Sequence, residues 1–248
     1  MKKIIITPLD WDTEFFNIRC GRTIIEDEEA DISGFEELFK CYDFVSIQNV
    51  GNNINVNKAI SQYTNAFLAD INVQFEKKII CSSEQLDNNE YCGFSLIKAT
   101  DISHELCDKM MVEESDFKYS KFVCDLELKK RKGYLVYREW IKNACKDDSK
   151  YFVLFCENEK IGAYILFNVK DEVCTIELVK VNSEFQGRHI ATFMIKKIEN
   201  IMRCNNISTL RVGTQFNNIP AMNLYHALGF KEISRTSVFH CWNIERED

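Results

Sequence analysis

An apolar strand that runs through a short turn into an amphipathic helix constrains this chain more than any other stretch. Branched and apolar residues alternate along 173–181, which predicts a strand. Downstream, apolar residues recur at three- and four-residue spacing, as one buried face of a helix requires: Ile190, Phe193, Met194, Ile198 and Ile201. The stretch therefore predicts a strand over 173–181, a turn, and a helix over 186–204 in direct succession.

The turn between these two elements has the features of an anion site. It reads Gln186-Gly187-Arg188-His189 and opens the predicted helix. The first N–H groups of a helix have no partner within the helix, and the positive end of the helix dipole lies beside them. Gly187 lets a ligand approach the backbone closely. The sequence therefore predicts a pyrophosphate cradle that is made mostly of main chain.

Two motifs in order along the chain resemble the GCN5-related N-acetyltransferase (GNAT) family. The first is Gln186-x-x-x-x-Ala191 after Val181, and the second is Asn218-x-x-Ala221-x-x-Leu224-Tyr225 followed by Gly229-Phe230. In that family the first motif, Gln/Arg-x-x-Gly-x-Gly/Ala, holds the pyrophosphate of acetyl-CoA. Here His189 stands where the middle Gly usually is. Its side chain would either crowd the phosphates or donate to them, and the sequence leaves both open.

The resemblance implies a fold and a co-substrate. The fold is of the α/β (α+β) class: the GNAT acyl-CoA N-acyltransferase fold, with a mixed central sheet flanked by helices and an additional N-terminal α/β region. The co-substrate is acetyl-CoA, and no metal is implied. The implied cofactor-binding residues are Val179, Lys180, Val181, Gln186, Gly187, Arg188, His189, Ile190, Ala191, Thr192 and Asn218. Main-chain N–H groups around 179–181 would hold the thioester carbonyl, because in the family this strand splays from its neighbour.

Two residues are candidates for acid and base. The tyrosine that matches Tyr225 in the family points its hydroxyl at the thioester sulfur, where a phenol can protonate the leaving thiolate; alternatively, Tyr225 closes the helix–sheet core. Glu177 is a carboxylate within an apolar strand, from which many family members draw water-mediated deprotonation of the acceptor ammonium. The alternative is that Glu177 faces solvent. Asn218 has a second interpretation as a helix N-cap.

Composition narrows the class of partner and the compartment. The formal net charge of -7 argues against a nucleic-acid surface, and the basic run 129–132 is too short to reverse that expectation. The 11 cysteines are scattered without a metal-ligand spacing, so we expect small buried hydrophobes in a reducing cytoplasm. No apolar stretch approaches the length of a bilayer span, so we expect no membrane partner.

The order of elements suggests two regions. Before the polar stretch 112–116, strand-like and helix-like pieces alternate, with a helix at 35–41, strands at 44–50 and 66–78, a loop at 52–57 and a helix at 101–111. After it we expect a helix at 134–146, a hairpin of 151–156 and 161–167, the strand and helix described above, a strand at 207–215, a helix at 219–228 and a last strand from 230 to about 242. We therefore place an N-terminal α/β region that contributes to the acceptor site at 1–115 and a GNAT acetyltransferase domain at 116–248.

The opening of the chain bears on the acceptor. Two interpretations fit the stretch Leu9-Asp-Trp-Asp-Thr-Glu-Phe-Phe-Asn-Ile18. In the first it is an amphipathic turn of helix, capped by Asp12 or Thr13, whose aromatic side chains pack into the N-terminal core. In the second it is part of a nucleotide-sugar site. The second interpretation rests on a resemblance to acetyltransferases that act on dTDP-4-amino-4,6-dideoxygalactose.

The resemblances together imply an acetyl-CoA-dependent N-acetyltransferase that acts by direct attack on a small-molecule amine, a nucleotide-linked amino sugar. A protein or peptide N-acetyltransferase and a non-catalytic acyl-CoA-binding module are the alternatives. The sequence leaves the oligomeric state open, a homodimer included.

Overall fold

The computed structural model describes residues 4–80, 93–110 and 115–243. Its strands form one ten-stranded mixed sheet. They are β1 (Thr7–Pro8), β2 (Cys20–Ile25), β3 (Phe44–Val50), β4 (Phe67–Lys78), β5 (Phe94–Lys98), β6 (Lys150–Glu157), β7 (Lys160–Lys170), β8 (Val173–Val181), β9 (Thr209–Gln215) and β10 (Lys231–Trp242). The helices are α1 (Asp10–Phe16), α2 (Phe35–Phe39), α3 (Ile54–Tyr63), α4 (His104–Lys109), α5 (Lys121–Cys124), α6 (Leu126–Lys130), α7 (Val136–Ala144), α8 (Ile190–Cys204) and α9 (Ile219–Ala227).

The strand order across the sheet is β1-β2-β3-β10-β4-β9-β8-β7-β6-β5. The pairs β2–β3 and β8–β9 are parallel, and the remaining neighbours are antiparallel. The mixed sheet flanked by helices that the resemblance implied is therefore confirmed. The β6–β7 hairpin turns at Asn158 and Glu159, both with positive φ, as a two-residue hairpin turn of the primed type requires.

The boundary that we placed at 115/116 does not separate two sheets. Strand β4, from the N-terminal region, lies between β9 and β10 and pairs with both: Phe75 faces Val212 of β9 and Glu232 of β10. A strand from the first part of the chain is thus an internal strand of the second part. The stretch proposed as the boundary, 112–116, lies outside the described residues except for Ser115 and Asp116.

Apolar clusters cover both faces of the sheet around β8. On one face α8 packs through Met194, Ile195 and Ile198 against strand residues that include Ile176; we call this the α8 face. On the other face α7 packs through Tyr137 and Ile141 against residues that include Leu178; we call this the α7 face. Burying one stripe of each amphipathic helix against the sheet is what holds the central strand in a fixed orientation.

Several local predictions differ from the structure. The loop expected at 52–57 is wrong, because α3 begins at Ile54 and the side chain of Asn53 caps it by accepting from Asn55 N at 2.8 Å. Helix α1 begins at Asp10, so neither Asp12 nor Thr13 is its cap; the Thr13 hydroxyl instead accepts from Cys20 N at 3.0 Å.

The cysteines also depart from expectation. Among the nine free cysteines described, Cys41, Cys124, Cys156 and Cys204 are exposed, so the expectation that the cysteines are buried holds for only some of them. No helix in the described parts of the chain is long and apolar enough to cross a membrane.

Candidate functional site

A β-bulge at Glu177 interrupts the central strand β8. Along the ladder with β7, Ile176 faces Phe167 and Leu178 faces Leu166, so Glu177 is the extra residue. An extra residue shifts the alternation of side chains by one position. Ile176 therefore packs on the α8 face, whereas Leu178 packs on the α7 face.

Beyond the bulge, β8 separates from its parallel neighbour β9. The β8–β9 ladder covers only 173–176, and its last pair is Ile176 with Val212. Strand β8 continues to Val181 and β9 continues to Gln215, without further pairing between them in the described structure. We call the space between 177–181 and 213–215 the gap. The splayed strand that the resemblance implied is thus present.

The register identifies which backbone groups face the gap. Asn182 N donates to Gly162 O at 2.9 Å, and Tyr164 faces Lys180 on the same ladder. Alternate residues of an antiparallel strand turn their N–H and C=O groups to opposite edges. Because Lys180 and Asn182 direct these groups toward β7, Val179 and Val181 direct theirs into the gap.

The turn after β8 leaves a second set of donors open. Gly187 has φ +76° and His189, the residue before α8, has φ 58°. The His189 side chain makes no capping hydrogen bond to the helix. The first backbone hydrogen bond of the helix runs from Phe193 N to His189 O at 3.1 Å. The N–H groups of 190–192 therefore have no acceptor within the helix. A Cβ built on Gly187 would meet no atom within 4 Å, so the backbone there is open to a ligand.

A cleft of about 1090 Å³ extends from the unpaired end of β8, at 179–181, to this turn. Its walls come from the end of β8, the turn and first residues of α8, the first residues of α9, Lys109, and the segment 115–119. Of the predicted cofactor-binding residues, all line the cleft except Arg188: Val179, Lys180, Val181, Gln186, Gly187, His189, Ile190, Ala191, Thr192 and Asn218. The Gln186 amide donates to Val181 O at 3.1 Å, which ties the turn to the strand.

Arg188 points elsewhere. Its guanidinium donates to both carboxylate oxygens of Glu157, at 2.6 and 3.1 Å, and lies over the ring of Phe185. This ion pair raises the pKa of Arg188 and lowers the pKa of Glu157. Arg188 therefore fastens the turn to the β6–β7 hairpin.

Asn218 is the N-cap of α9. Its Oδ1 accepts from Ala221 N at 3.3 Å, and its own N–H donates to Gln215 O at 2.9 Å. Since the capping oxygen is engaged, the amide nitrogen is the atom with which Asn218 can reach a ligand in the cleft.

Tyr225 is buried on the α8 face. Its ring lies 5.5 Å from that of Phe75 and 5.8 Å from that of Phe230, and burial raises the pKa of its hydroxyl. Tyr225 is not among the described residues that line the cleft, although Leu224 is. The aromatic packing that we considered as the alternative is therefore present, and a role as general acid stays a prediction.

Both carboxylate oxygens of Glu177 already accept hydrogen bonds. Oε2 accepts from Lys150 Nζ at 2.8 Å and from Trp140 Nε1 at 3.3 Å, and Oε1 accepts from the amide of Asn168. The Glu177 side chain is 13% exposed. Glu177 therefore lies neither on a solvated face of the sheet nor in an open pocket. Its hydrogen bonds connect α7, β6 and β7 at the bulge.

Sequence reasoning missed one charged pair in the cleft. Lys180 is buried on the α7 face, and its ammonium lies 2.7 Å from the Asp116 carboxylate. We had assigned Asp116 to a domain boundary, since nothing in the local sequence links a polar loop to a lysine 64 positions later. The pair fastens 115–119 against the end of β8.

Comparisons with known proteins bear on the family and the fold. Residues 110–230 match the sequence model of the Acetyltransferase (GNAT) family. The spore coat polysaccharide biosynthesis protein SpsD of Bacillus subtilis (strain 168) is 23% identical over 126 residues, which cover 51% of this chain and 44% of that protein. Streptothricin acetyltransferase of Escherichia coli is 29% identical over 84 residues, which cover 34% of this chain and 48% of that protein. The chain thus spans less than half the length of these two relatives.

A solved structure shows the same fold. The GCN5-related N-acetyltransferase from Sphaerobacter thermophilus superposes with a TM-score of 0.53 and 11% sequence identity, over 80% of this chain and 59% of that one. The fold of the chain is therefore the GNAT fold, and the family match supports assignment to the GNAT acetyltransferases.

Proposed function

We propose, on the premise of this fold and family match, that the protein is an acetyl-CoA-dependent N-acetyltransferase. We further propose that its acceptor is the amine of a nucleotide-linked amino sugar, which attacks directly without an acetyl-enzyme. The observation that carries the proposal is one cleft that extends from the unpaired end of β8 to the open first turn of α8. Backbone donors at Val179 and Val181 and at 190–192 face one cleft.

The residues in the cleft fit acetyl-CoA. The uncapped N–H groups at the start of α8 and the open backbone at Gly187 suit a pyrophosphate, and Asn218 adds an amide donor. The N–H groups in the gap suit a polarised carbonyl oxygen, and such preorganised donors usually supply the largest catalytic effect. Bound there, acetyl-CoA would supply an activated thioester that needs no metal. In this assignment 190–192 hold phosphate and 179–181 orient the acyl end.

Direct attack also follows from what surrounds the cleft. None of the described residues that line it is a cysteine, serine–histidine pair or other activated nucleophile with a base beside it. The remaining tasks for the chain are to hold the acceptor, to remove one proton from its ammonium and to supply one to the thiolate. Tyr225 remains our candidate for the last of these tasks.

Two observations favour a sugar-linked acceptor. The relative SpsD is named for polysaccharide biosynthesis. In α1, Trp11 stacks on Phe15 with ring centroids 4.9 Å apart and stays 40% exposed. An exposed, rigid aromatic pair is the kind of surface on which a sugar ring or a nucleobase packs.

Incubation with labelled acetyl-CoA and a panel of amines tests the proposal. The panel contains nucleotide-linked amino sugars, the free amino sugars, and peptides with a free N-terminus or lysine. We expect acetylated product with the nucleotide-linked sugars, and kcat/KM at least tenfold lower with the free sugars. Product formed only with peptides would show that the acceptor is a peptide and not a sugar. Binding of acetyl-CoA without product from any amine would establish the acyl-CoA-binding module instead.

A further inference from the structure

The segment 115–125, which we call the strap, crosses the α7 face of the sheet in front of the gap. Near its start, Asp116 pairs with Lys180 of β8 at 2.7 Å. At its end, Asp125 accepts from Trp242 Nε1 of β10 at 3.0 Å and lies 2.6 Å from His240 Nδ1. The middle of the strap, α5, therefore passes over β9 and β4, which lie between these two strands in the sheet.

Charged side chains from three separate elements meet under the middle of the strap. Lys121, the first residue of α5, interacts electrostatically with Asp70 of β4 and Asp12 of α1. Arg22 of β2 interacts electrostatically with Asp12 and Lys121. The exposure of Asp12, Asp70 and Lys121 is intermediate, so the cluster is partly desolvated but reachable. We call Asp12, Asp70 and Lys121 the charged cluster.

Asp70 lies at the mouth of the gap. The Phe216 N–H, just past the end of β9, donates to Ile71 O at 2.8 Å, and Asn72 faces Gln215. Asp70 is therefore level with the end of β9, at the edge of the sheet toward which β8 and β9 diverge. Because Asp70 faces Val238, two residues before His240, its side chain lies on the same face as His240 and the strap.

Beside the charged cluster, two buried polar atoms have no partner within the described structure. They are Nε2 of His240 and the hydroxyl of Ser46, residues that are 1% and 4% exposed and face each other across β10 and β3. Since Nδ1 of His240 points to Asp125, Nε2 points away from that carboxylate, and Lys121 is near enough to act on the ring. Buried polar groups are normally satisfied, so these two adjacent atoms retain hydrogen-bonding capacity for a polar partner, whether water or ligand.

We propose that the charged cluster is the acceptor subsite, in which Asp12 and Asp70 hold the ammonium of the acceptor and Asp70 takes the proton that it must lose. The proposal rests on the N-acetyltransferase function proposed above and deepens it. One proton passes from the ammonium to the Asp70 carboxylate. The nitrogen lone pair then forms the C–N bond as the C–S bond breaks, Tyr225 gives a proton to the thiolate and regains one from the second N–H, and Asp70 later releases its proton to water.

Electrostatics at Asp70 suit this task. Burial raises its pKa to about 6, against the opposing effect of Lys121. Asp70 also interacts electrostatically with Tyr137 and Cys124, whose pKa values are raised chiefly by burial. A carboxylate with a pKa near 6 is ionised at neutral pH and more basic than an ordinary carboxylate, so it is better suited to accept a proton from the acceptor ammonium. Glu177, by contrast, has both oxygens engaged by donors.

Asp70→Asn tests the proposal, with Glu76→Gln as the matched control. Glu76 lies on the same strand but pairs with Arg211 at 2.9 Å and Lys78 at 3.0 Å, away from the gap. For the acceptor that turns over fastest, we expect Asp70→Asn to lower kcat by roughly 10²- to 10⁴-fold and to remove the acidic limb of the pH profile. Glu76→Gln should leave both unchanged. Asp12→Asn should raise KM and keep the acidic limb.

Measuring the stability of Asp70→Asn distinguishes a catalytic role of Asp70 from a structural one. Because the raised pKa means that the folded state disfavours the ionised form of Asp70, stability falls as the pH rises from about 3.8 to about 6, and the loss is complete above that. Asp70→Asn should therefore keep or raise the melting temperature at pH 7.5 while turnover falls. A fall in turnover that parallels a fall in melting temperature, or turnover within threefold of wild type, would overturn the proposal.

A measurement without acetyl-CoA distinguishes failure of this proposal from failure of the enzyme assignment. Carboxyl-detected NMR of the intact chain should show Asp70 titrating near pH 6, and glucosamine, used as an amine probe, should shift that resonance and lower its apparent pKa. If the wild-type protein acetylates no amine but the shift occurs, the subsite stands and the transferase function fails. If acetylation occurs and glucosamine moves no resonance at Asp70, the subsite is wrong.

Discussion

Ile176 of β8 faces Val212 of β9 at the last matched position of their parallel ladder. One residue later the bulge at Glu177 shifts the strand, and β8 continues alone on that side. Losing a ladder exposes backbone donors that would cost free energy if they stayed buried and unpaired. Val179 and Val181 therefore keep backbone donors available to a ligand in the gap.

Gly187→Val should abolish acetyl-CoA binding. Gly187 has φ +76° and open space where a Cβ would be, so a valine fills the space that the cradle offers to phosphate. The matched control is Gly51→Val, because Gly51 has φ +80° and equally open surroundings but lies in the turn after β3. Both variants should lose about 1–3 kcal/mol of stability from backbone strain. In calorimetry only Gly187→Val should lose acetyl-CoA affinity; equal affinities in the two variants would argue against the cradle.

Arg188→Ala should weaken acetyl-CoA binding by no more than about tenfold. The Arg188 side chain is 46% exposed and engaged by Glu157, which is 39% exposed. Exposed pairs of this kind contribute little to stability, because solvent screens the two charges. Glu157→Gln frees the guanidinium and provides the comparison: affinity that rises in Glu157→Gln and vanishes in Arg188→Ala would show that Arg188 turns to the phosphates on binding.

His189→Gly should stabilise the protein and leave activity unchanged or higher. His189 holds φ 58° without capping α8 through its side chain. A non-glycine residue in this conformation costs about 1–2 kcal/mol that glycine avoids. Lys132→Gly is the control, since Lys132 has φ 63° outside the cleft. Melting temperatures should rise in both variants, whereas a large loss of turnover in His189→Gly alone would assign His189 a contact with the phosphates.

Local patterns in the sequence predicted the centre of the site, and long-range pairing supplied the rest. Apolar alternation predicted β8, and helical spacing predicted α8. Gln186 to Thr192 lie where an open helix start was expected. These features could be predicted because each signal spans only a few residues. Other features join residues that are far apart in sequence. They are the position of β4 between β9 and β10, the contact of Asp116 with Lys180, and the contact of Asp125 with His240. Such contacts depend on tertiary packing, which no local period encodes.

Glu177→Gln should lower stability more than turnover. The carboxylate is 13% exposed and neutralises Lys150, which is 18% exposed, so removing its charge leaves a lysine desolvated and unpaired. We expect a loss of about 1–3 kcal/mol in the free energy of unfolding and kcat within about threefold of wild type. The double variant with Lys150→Gln should recover part of the loss, because the pair is coupled. If kcat instead falls by roughly 10²-fold without loss of stability, Glu177 is the general base.

Tyr225→Phe should separate a transferase from a binding module. The substitution removes only the hydroxyl, so the packing of the ring against Phe75 and Phe230 should survive with little change in melting temperature. Burial raises the pKa of Tyr225, so the phenol stays protonated throughout the working range and is available as a proton donor, although it is a weaker acid than a free phenol. Turnover should then fall by roughly 10²- to 10⁴-fold while acetyl-CoA affinity barely changes, as for an interaction made in the transition state.

The control for Tyr225→Phe is Tyr164→Phe. Tyr164 is also a buried tyrosine of the sheet region, and its hydroxyl has no partner within the described structure. Losing an unpaired buried hydroxyl should keep or raise the melting temperature and leave turnover unchanged. Turnover, acetyl-CoA affinity and melting temperature are measured on one preparation of each variant. Near-wild-type turnover in Tyr225→Phe would defeat the general-acid role, and a large fall in melting temperature without a separate kinetic effect would make Tyr225 a core residue only.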